Sequence, residues 1–223
     1  MSTSKEAFKK FLVLGILFVF PLVIYLFFAS GVNNFAHLPI LTEEVNDIIE
    51  WPSLKGERHQ FDGNISIVGF WGNDLKLRKG DAFNLNQKIY KRFYQFDDFQ
   101  FVMVVEKDHE EVIEQILVEL QAGAATDLSK WKFIFGSKDE IQALFDSFQT
   151  DVKLNEKKST STVFIVDRVK NLRGRDDDEE VGTLYGYNTS SVAELNKKMT
   201  DVIPQRDFNK PTKNKQRKKH RYR

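Results

Sequence analysis

No cysteine occurs among the 223 residues, which removes disulfide staples, thiolate metal sites and thiol redox chemistry together. Histidine is nearly as scarce: the chain has four, of which only His37, His59 and His109 precede the C-terminal tail. No two of these stand at a ligand spacing such as i, i+4 on one helix, so they read as surface or loop histidines. A Ser-His-Asp set, a phosphate-cradling glycine loop and a pair of catalytic carboxylates are equally unrecognisable. Neither an enzymatic activity nor a cofactor is expected from the residues.

What the chain does have is one long apolar run. Residues 11–30 read FLVLGILFVFPLVIYLFFAS without a charge, and as a helix they span about 30 Å, the thickness of a bilayer's hydrocarbon core. Pro21 falls mid-span, which membrane helices tolerate. A cleaved signal peptide is the rival, since Ala29-Ser30-Gly31 offers small residues at a cleavage position, but such apolar regions run only about 7–15 residues. Lys5, Lys9 and Lys10 precede the run, whereas Glu43, Glu44, Asp47 and Glu50 follow it. The positive-inside rule therefore predicts a single-pass anchor in the cytoplasmic membrane, N-terminus in the cytoplasm and the rest on the periplasmic or extracytoplasmic side.

Charge is unevenly laid out although the formal net is only +1. From Asn209 the chain reads NKPTKNKQRKKHRYR, with eight Lys or Arg and no acid. Such a stretch cannot bury enough apolar surface to offset its ordering entropy and is expected to be disordered. It reads either as an arm for lipid head groups or as a solvated tail. With the domain outside the cytoplasm, nucleic acid is not an expected partner.

Between anchor and tail, about 175 residues suffice for one domain with a full core. Residues 31–60 read as a connecting stalk: Leu38-Pro39-Ile40 is extended, a short helix fits from Glu43 to Ile49, and Trp51-Pro52 ends it. Ile65 to Trp71 is an apolar, β-rich run expected of a buried central strand. Helical spacing of Phe83, Leu85, Ile89 and Phe93 leads to a second strand, Phe101 to Val105. Asp108 is placed to cap a helix from Glu110 to Gln121, with Val112, Ile116, Leu117 and Leu120 inward and release at Gly123-Ala124-Ala125. A third strand, Trp131 to Phe135, precedes a capping box at Ser137 and Glu140 and a helix through Ile141, Leu144, Phe145 and Phe148. Thr162 to Asp167 and Leu172 to Gly174 read as a hairpin. Ser191 and Glu194 open a closing helix with Val192, Leu195, Met199 and Val202 inward, ended by Pro204. This order predicts an α/β domain of thioredoxin-like type, with a mostly parallel central sheet and a terminal hairpin. The expected organisation is a cytoplasmic N-terminus (1–10), a transmembrane anchor (11–30), a stalk (31–60), a thioredoxin-like domain (61–205) and a basic disordered tail (206–223).

Four stretches carry a family resemblance: GNISIVGFW, NLNQKIYKRF, WKFIFGSKDEIQALF and TVFIVDRVKNLRG. Through them, residues 61–203 resemble the Sco/SenC family, membrane-anchored thioredoxin-like proteins that act as copper chaperones or thiol reductases in assembling the copper centre of cytochrome oxidase. That resemblance implies a Cys-x-x-x-Cys pair near Leu75 and Lys79 and a histidine near Ser159. None of these copper ligands is present, and leucine, lysine and serine cannot replace soft thiolates that retain Cu(I). The chain is therefore expected to be a degenerate member that keeps the fold without the chemistry.

The segment from Gly72 to Gly80 then becomes the feature of interest, because loops at the carboxyl ends of parallel strands are where α/β domains bind. Trp71, Leu75 and Leu77, rimmed by Lys76, Arg78 and Lys79, form the expected protein-docking loop, with Asp74 and Asp81 beside it. Asp176 to Glu180 supplies five successive carboxylates, but without the spacing of a calcium loop it reads as a solvated connection. In the aromatic segment Tyr90, Phe93, Tyr94, Phe96, Phe99 and Phe101, Phe93 and Phe101 fall on core phases, leaving Tyr94 and Phe96 as candidates for exposure. The functional expectation is a non-catalytic scaffold or accessory factor, with the lipid bilayer and oxidase assembly proteins as partners. Two alternatives stay open: copper delivery through unconventional ligands such as a histidine with an aspartate or Met103, and a structural tether with a lipid-binding tail.

Overall fold

A computed structural model describes residues 3–29, 38–123 and 127–199. The expected basic tail, Val202, Pro204, His37, Ala124 and Ala125 lie outside these residues. The chain divides into two compact units, Met1–Phe35 and Ala36–Arg223. The first contains one helix, α1 (Thr3–Ala29), with Pro21 inside it. Its described apolar side chains, between Val13 and Tyr25, are exposed. Among the described residues no helix is long and apolar enough to cross a membrane; within 11–30, side chains are described only from 13 to 25.

The second unit is a layered α/β domain. Its strands are β1 (Ile40–Thr42), β2 (Ile65–Gly72), β3 (Phe99–Glu106), β4 (Trp131–Gly136), β5 (Thr162–Val166), β6 (Leu172–Arg173), β7 (Arg175–Asp178), β8 (Gly182–Leu184) and β9 (Tyr187–Asn188). Seven of them form one sheet in the order β1-β6-β5-β2-β3-β4, with β9 on β5, while β7 and β8 pair separately. β2, β3 and β4 run parallel, whereas β5 is antiparallel to β2 and β6 to β5. This is a thioredoxin-like α/β fold, but its sheet is mixed rather than mostly parallel as expected, because only β2, β3 and β4 pair in parallel and the other pairings in it are antiparallel.

Both faces of the sheet are covered, which is why β2 and β3 read as unbroken apolar runs rather than alternating ones. Ile67, Trp71, Phe101 and Met103 enter one core cluster, with residues from α2 (Leu75–Leu85) and α4 (Glu110–Gly123). Val68, Phe70, Val102 and Val104 enter the other, with Ile141, Leu144 and Phe145 of α5 (Lys138–Asp146). α2 continues through a π-helical turn (Asn86–Tyr90) into α3 (Lys91–Phe93). The final α6 (Val192–Glu194) likewise passes into a π-helical turn (Leu195–Met199).

The capping box of α5 forms as expected, with Ser137 and Glu140 bonding reciprocally. At α6 the Ser191 side chain accepts from the Glu194 N–H. Three expectations are corrected. Residues 38–60 are part of the domain: β1 pairs with β6, Leu38, Val45 and Ile48 are buried, and Ser53 bridges Ile134. A three-residue strand is too short to show periodicity, so its pairing was hidden. The inner face of α4 contains Ile113 with Ile116 and Leu120, whereas Val112 is exposed; the helix entrance is at His109, whose C=O accepts the Ile113 N–H, because Asp108 takes φ +69°. The acidic run is a hairpin of β7 and β8 in which Asp178 is buried. Burial would raise the Asp178 pKa, but N–H donors from Glu180 and Val181 together with Lys198 at 3.1 Å outweigh it and hold the carboxyl low.

Candidate functional site

At the carboxyl end of β2 the segment 72–81 meets the connection 155–160. Gly72 adopts φ +49°, and a Cβ there would overlap the backbone carbonyl oxygen of Lys157, so only glycine lets the two backbones approach. The Asn73 N–H donates to the Lys157 C=O at 2.9 Å, and the Thr160 N–H to the Phe70 C=O at 3.0 Å. Side chains reinforce the closure: Lys157 Nζ donates to Asp74 Oδ1 at 3.1 Å, and Asn155 Nδ2 approaches Asp74 Oδ2 at 3.5 Å. Asn155 organises the connection, its Oδ1 accepting from both the Lys157 and Ser159 N–H groups at 3.0 Å. The Asn-x-Lys-x-Ser spacing is the signal in sequence that could have found this Asx turn.

The expected docking loop is instead the entrance of a helix. α2 begins at Leu75, with the Leu77 and Arg78 N–H groups bonded to the Asp74 C=O. This buries half of the expected surface, since Trp71, Leu75 and Arg78 are inside. Arg78 pairs with buried Asp81, which also accepts from Ser190 Oγ at 3.1 Å. Burial raises the Asp81 pKa, opposed by Arg78 and by the hydroxyl donors. Lys79 is held by Glu119 of α4. Lys76 and Leu77 remain exposed, Leu77 at 61%. Glycines 72 and 80 bracket the segment and argue for a loop in sequence; Leu75 and Arg78, three apart, are the helical signal that was present.

The resemblance-based ligand positions converge only as segments. Leu75 is in the core, Lys79 is in an ion pair, and Ser159 is 2% exposed with its Oγ unpartnered. The remaining candidates are dispersed. Met103 is buried beneath Gly69, His109 bonds through Nδ1 near the Glu106 and Lys107 carbonyls, and His59 lies beside Lys132. No group of three or more His, Cys, Asp or Glu among the described residues is placed to hold a metal ion. Of the aromatic segment, Tyr90, Phe93, Phe99 and Phe101 are buried, Tyr94 is half-buried and Phe96 is exposed. Burial pushes the Tyr90 hydroxyl up to about 12, and it donates to the Asp127 C=O at 2.6 Å.

No protein-family model and no curated protein matches the chain. Among solved structures it is similar to a SCO1/SenC family lipoprotein from Bacillus anthracis str. Ames, at 15% identity and TM-score 0.46, covering 69% of this chain and 88% of that one. BsSco, a member of the Sco family of cytochrome c oxidase assembly proteins, is similar at 17% identity and TM-score 0.44, with 69% and 87% covered. A thiol:disulfide interchange protein of the thioredoxin family from Chlorobium tepidum TLS is similar at 14% identity and TM-score 0.44, with 72% and 94% covered. The neighbours are thus Sco/SenC proteins and thioredoxin-like oxidoreductases, and this chain has no cysteine.

Proposed function

We propose that this protein is a membrane-anchored, non-catalytic thioredoxin-fold module that docks another protein at the carboxyl end of β2. The observation that carries the reading is the closure of that end. Where thiol chemistry would need an open, sulfur-bearing loop, the Asn73 N–H is bonded to the Lys157 carbonyl and Leu75 is packed into the core. What remains there for a partner is exposed Leu77 with Lys76 and the outer face of the Lys157–Asp74 pair. An isolated apolar side chain among charges suits an anchor-and-rim contact.

The membrane part of the proposal rests on the uncharged run 11–30 and the lysines before it. Assignment to respiratory-oxidase assembly as an accessory factor rests on the resemblance of the four sequence stretches and is a proposal about partners alone. Affinity purification of the tagged full-length protein from its native membranes tests it. Recovery of oxidase subunits or assembly proteins that is lost with Leu77→Asp supports the reading. Undiminished recovery with Leu77→Asp removes the docking surface, and recovery lost only on deleting residues 209–223 favours the tether.

A further inference from the structure

A second site lies away from the β2 end, beneath the outer edge of β4. A cavity of about 410 Å³ opens there between the C-terminal half of α4 and residues 54–59. Its wall mixes apolar residues, Leu117 and Leu128 beside Trp131 and Phe133, with polar and charged ones. The two aromatic rings are 6.1 Å apart, inclined by only 16° and stacked on one another, so that they reach the cavity mainly by their edges. The volume falls within the range of small-molecule sites.

Among its polar groups, His59 and Lys132 stand together. Lys132 Nζ lies 3.6 Å and His59 Nε2 lies 3.9 Å from the same Glu57 carboxylate oxygen, so both nitrogens converge on one place. The His59 side chain is only 10% exposed, yet its ring nitrogens make no hydrogen bond among the described residues. Burial first, and Lys132 second, lower its pKa against the opposing Glu57 carboxylate. The imidazole is therefore neutral at neutral pH and has a nitrogen able to accept a proton in a hydrogen bond.

Charge narrows the ligand. The lining holds two cations, Lys55 and Lys132, and two anions, Glu57 and Asp127, so a ligand of either sign meets a like charge. A hydroxyl satisfies the two polar groups at once, its oxygen accepting from the Lys132 ammonium and its proton going to the His59 nitrogen. We infer that this cavity binds an uncharged molecule with an apolar ring body and a hydroxyl at one end, of the phenol or naphthol class. The inference stands apart from the docking reading and shares no residue with it.

The test uses the full-length protein in lipid nanodiscs with 5-fluorotryptophan in place of its three tryptophans, Trp51, Trp71 and Trp131. Their fluorine resonances are assigned by single Trp→Phe replacements and followed during titration with 2-naphthol. The expected result is a saturable shift of the Trp131 signal while Trp51, packed against Gly136, stays in place. His59→Phe, which keeps an aromatic ring but removes the acceptor, weakens binding by about tenfold, and naphthalene binds weaker than 2-naphthol by about the same factor. Val118→Asp, on the exposed wall of the cavity, weakens it as well, whereas Leu77→Asp leaves it unchanged. A Trp131 signal that does not move or never saturates overturns the inference. So does undiminished binding by His59→Phe, or 2-naphthoate binding more tightly than 2-naphthol.

Discussion

Two arginine–aspartate pairs are buried in this domain, and they are built differently. Asp167 accepts the Val169 and Asn171 N–H groups at 3.0 and 2.8 Å and Arg173 Nε at 2.7 Å. Arg173 passes Nη1 to the Leu38 C=O at 3.0 Å, so the cluster pins the start of the domain to the β5–β6 hairpin. At the other end, Asp81 is held by Arg78 and Ser190, and Arg78 Nε has no partner. A buried charge is tolerated when its lone pairs and protons are satisfied, and is costly otherwise. The Asp167–Arg173 cluster is thus satisfied throughout. The β2 end retains unpartnered polar atoms on Arg78 and Ser159, the pattern seen where packing is not the only demand on a site.

The sharpest way to break this comparison is at the contact that closes the β2 end. Gly72→Ala adds a Cβ at positive φ against backbone rather than against a movable side chain. It is expected to cost about 3–5 kcal/mol in denaturant unfolding of the full-length protein. A loss below about 1 kcal/mol means that the two segments part easily and the site is open.

Next in size are the two arginines. Arg173→Met leaves Asp167 buried without its charge partner and removes the Nη1 donor to the Leu38 C=O, and about 3–4 kcal/mol is expected. Arg78→Met costs less, about 1–3 kcal/mol, because burial already raises the Asp81 pKa and the lone carboxyl can take up a proton. Removing both charges separates the pairs further. Arg78→Met with Asp81→Leu approaches neutrality, whereas Arg173→Met with Asp167→Leu stays costly because the Val169 and Asn171 N–H groups lose their acceptor. Equal costs for the two ends contradict the distinction.

A smaller, pH-dependent effect comes from an exposed carboxylate that belongs to neither pair. The Ser137 N–H first, then Lys107, hold the Glu140 pKa down to about 2 from 4.5. A depressed acid contributes stability that is full above its unfolded pKa and lost as pH falls through the folded one. Glu140→Gln therefore lowers the melting temperature at pH 6, and the gap to the natural protein closes between pH 4.5 and 2. A gap that persists unchanged to the acid end assigns the effect to shape rather than charge.

The same two ends differ in how much could be read from sequence. Four of the central strands, β2 to β5, were legible because burial on both faces leaves continuous apolar runs, and α5 was legible from its capping box. β1 was not, since its place depends on Asp167 and Arg173, which lie more than a hundred residues away in the chain. At the β2 end, Gly72 and Gly80 argued for a loop where tertiary packing of Leu75 and the Arg78–Asp81 pair selects a helix. Within that segment Lys76 and Leu77 are exposed, whereas Trp71, Leu75 and Arg78 turn inward. His59 had no local signal at all, because its neighbours Lys132, Trp131 and Phe133 arrive from β4.

The smallest expected effect on stability carries the central claim. Leu77→Asp changes an exposed side chain and is expected to shift unfolding by no more than about 0.5 kcal/mol. The decisive measurement is quantitative mass spectrometry of proteins retained by full-length protein and by this variant from native membranes. The docking account predicts a specific set of companions that falls by about tenfold or more with Leu77→Asp while the protein stays folded. Companions retained equally by both would contradict it.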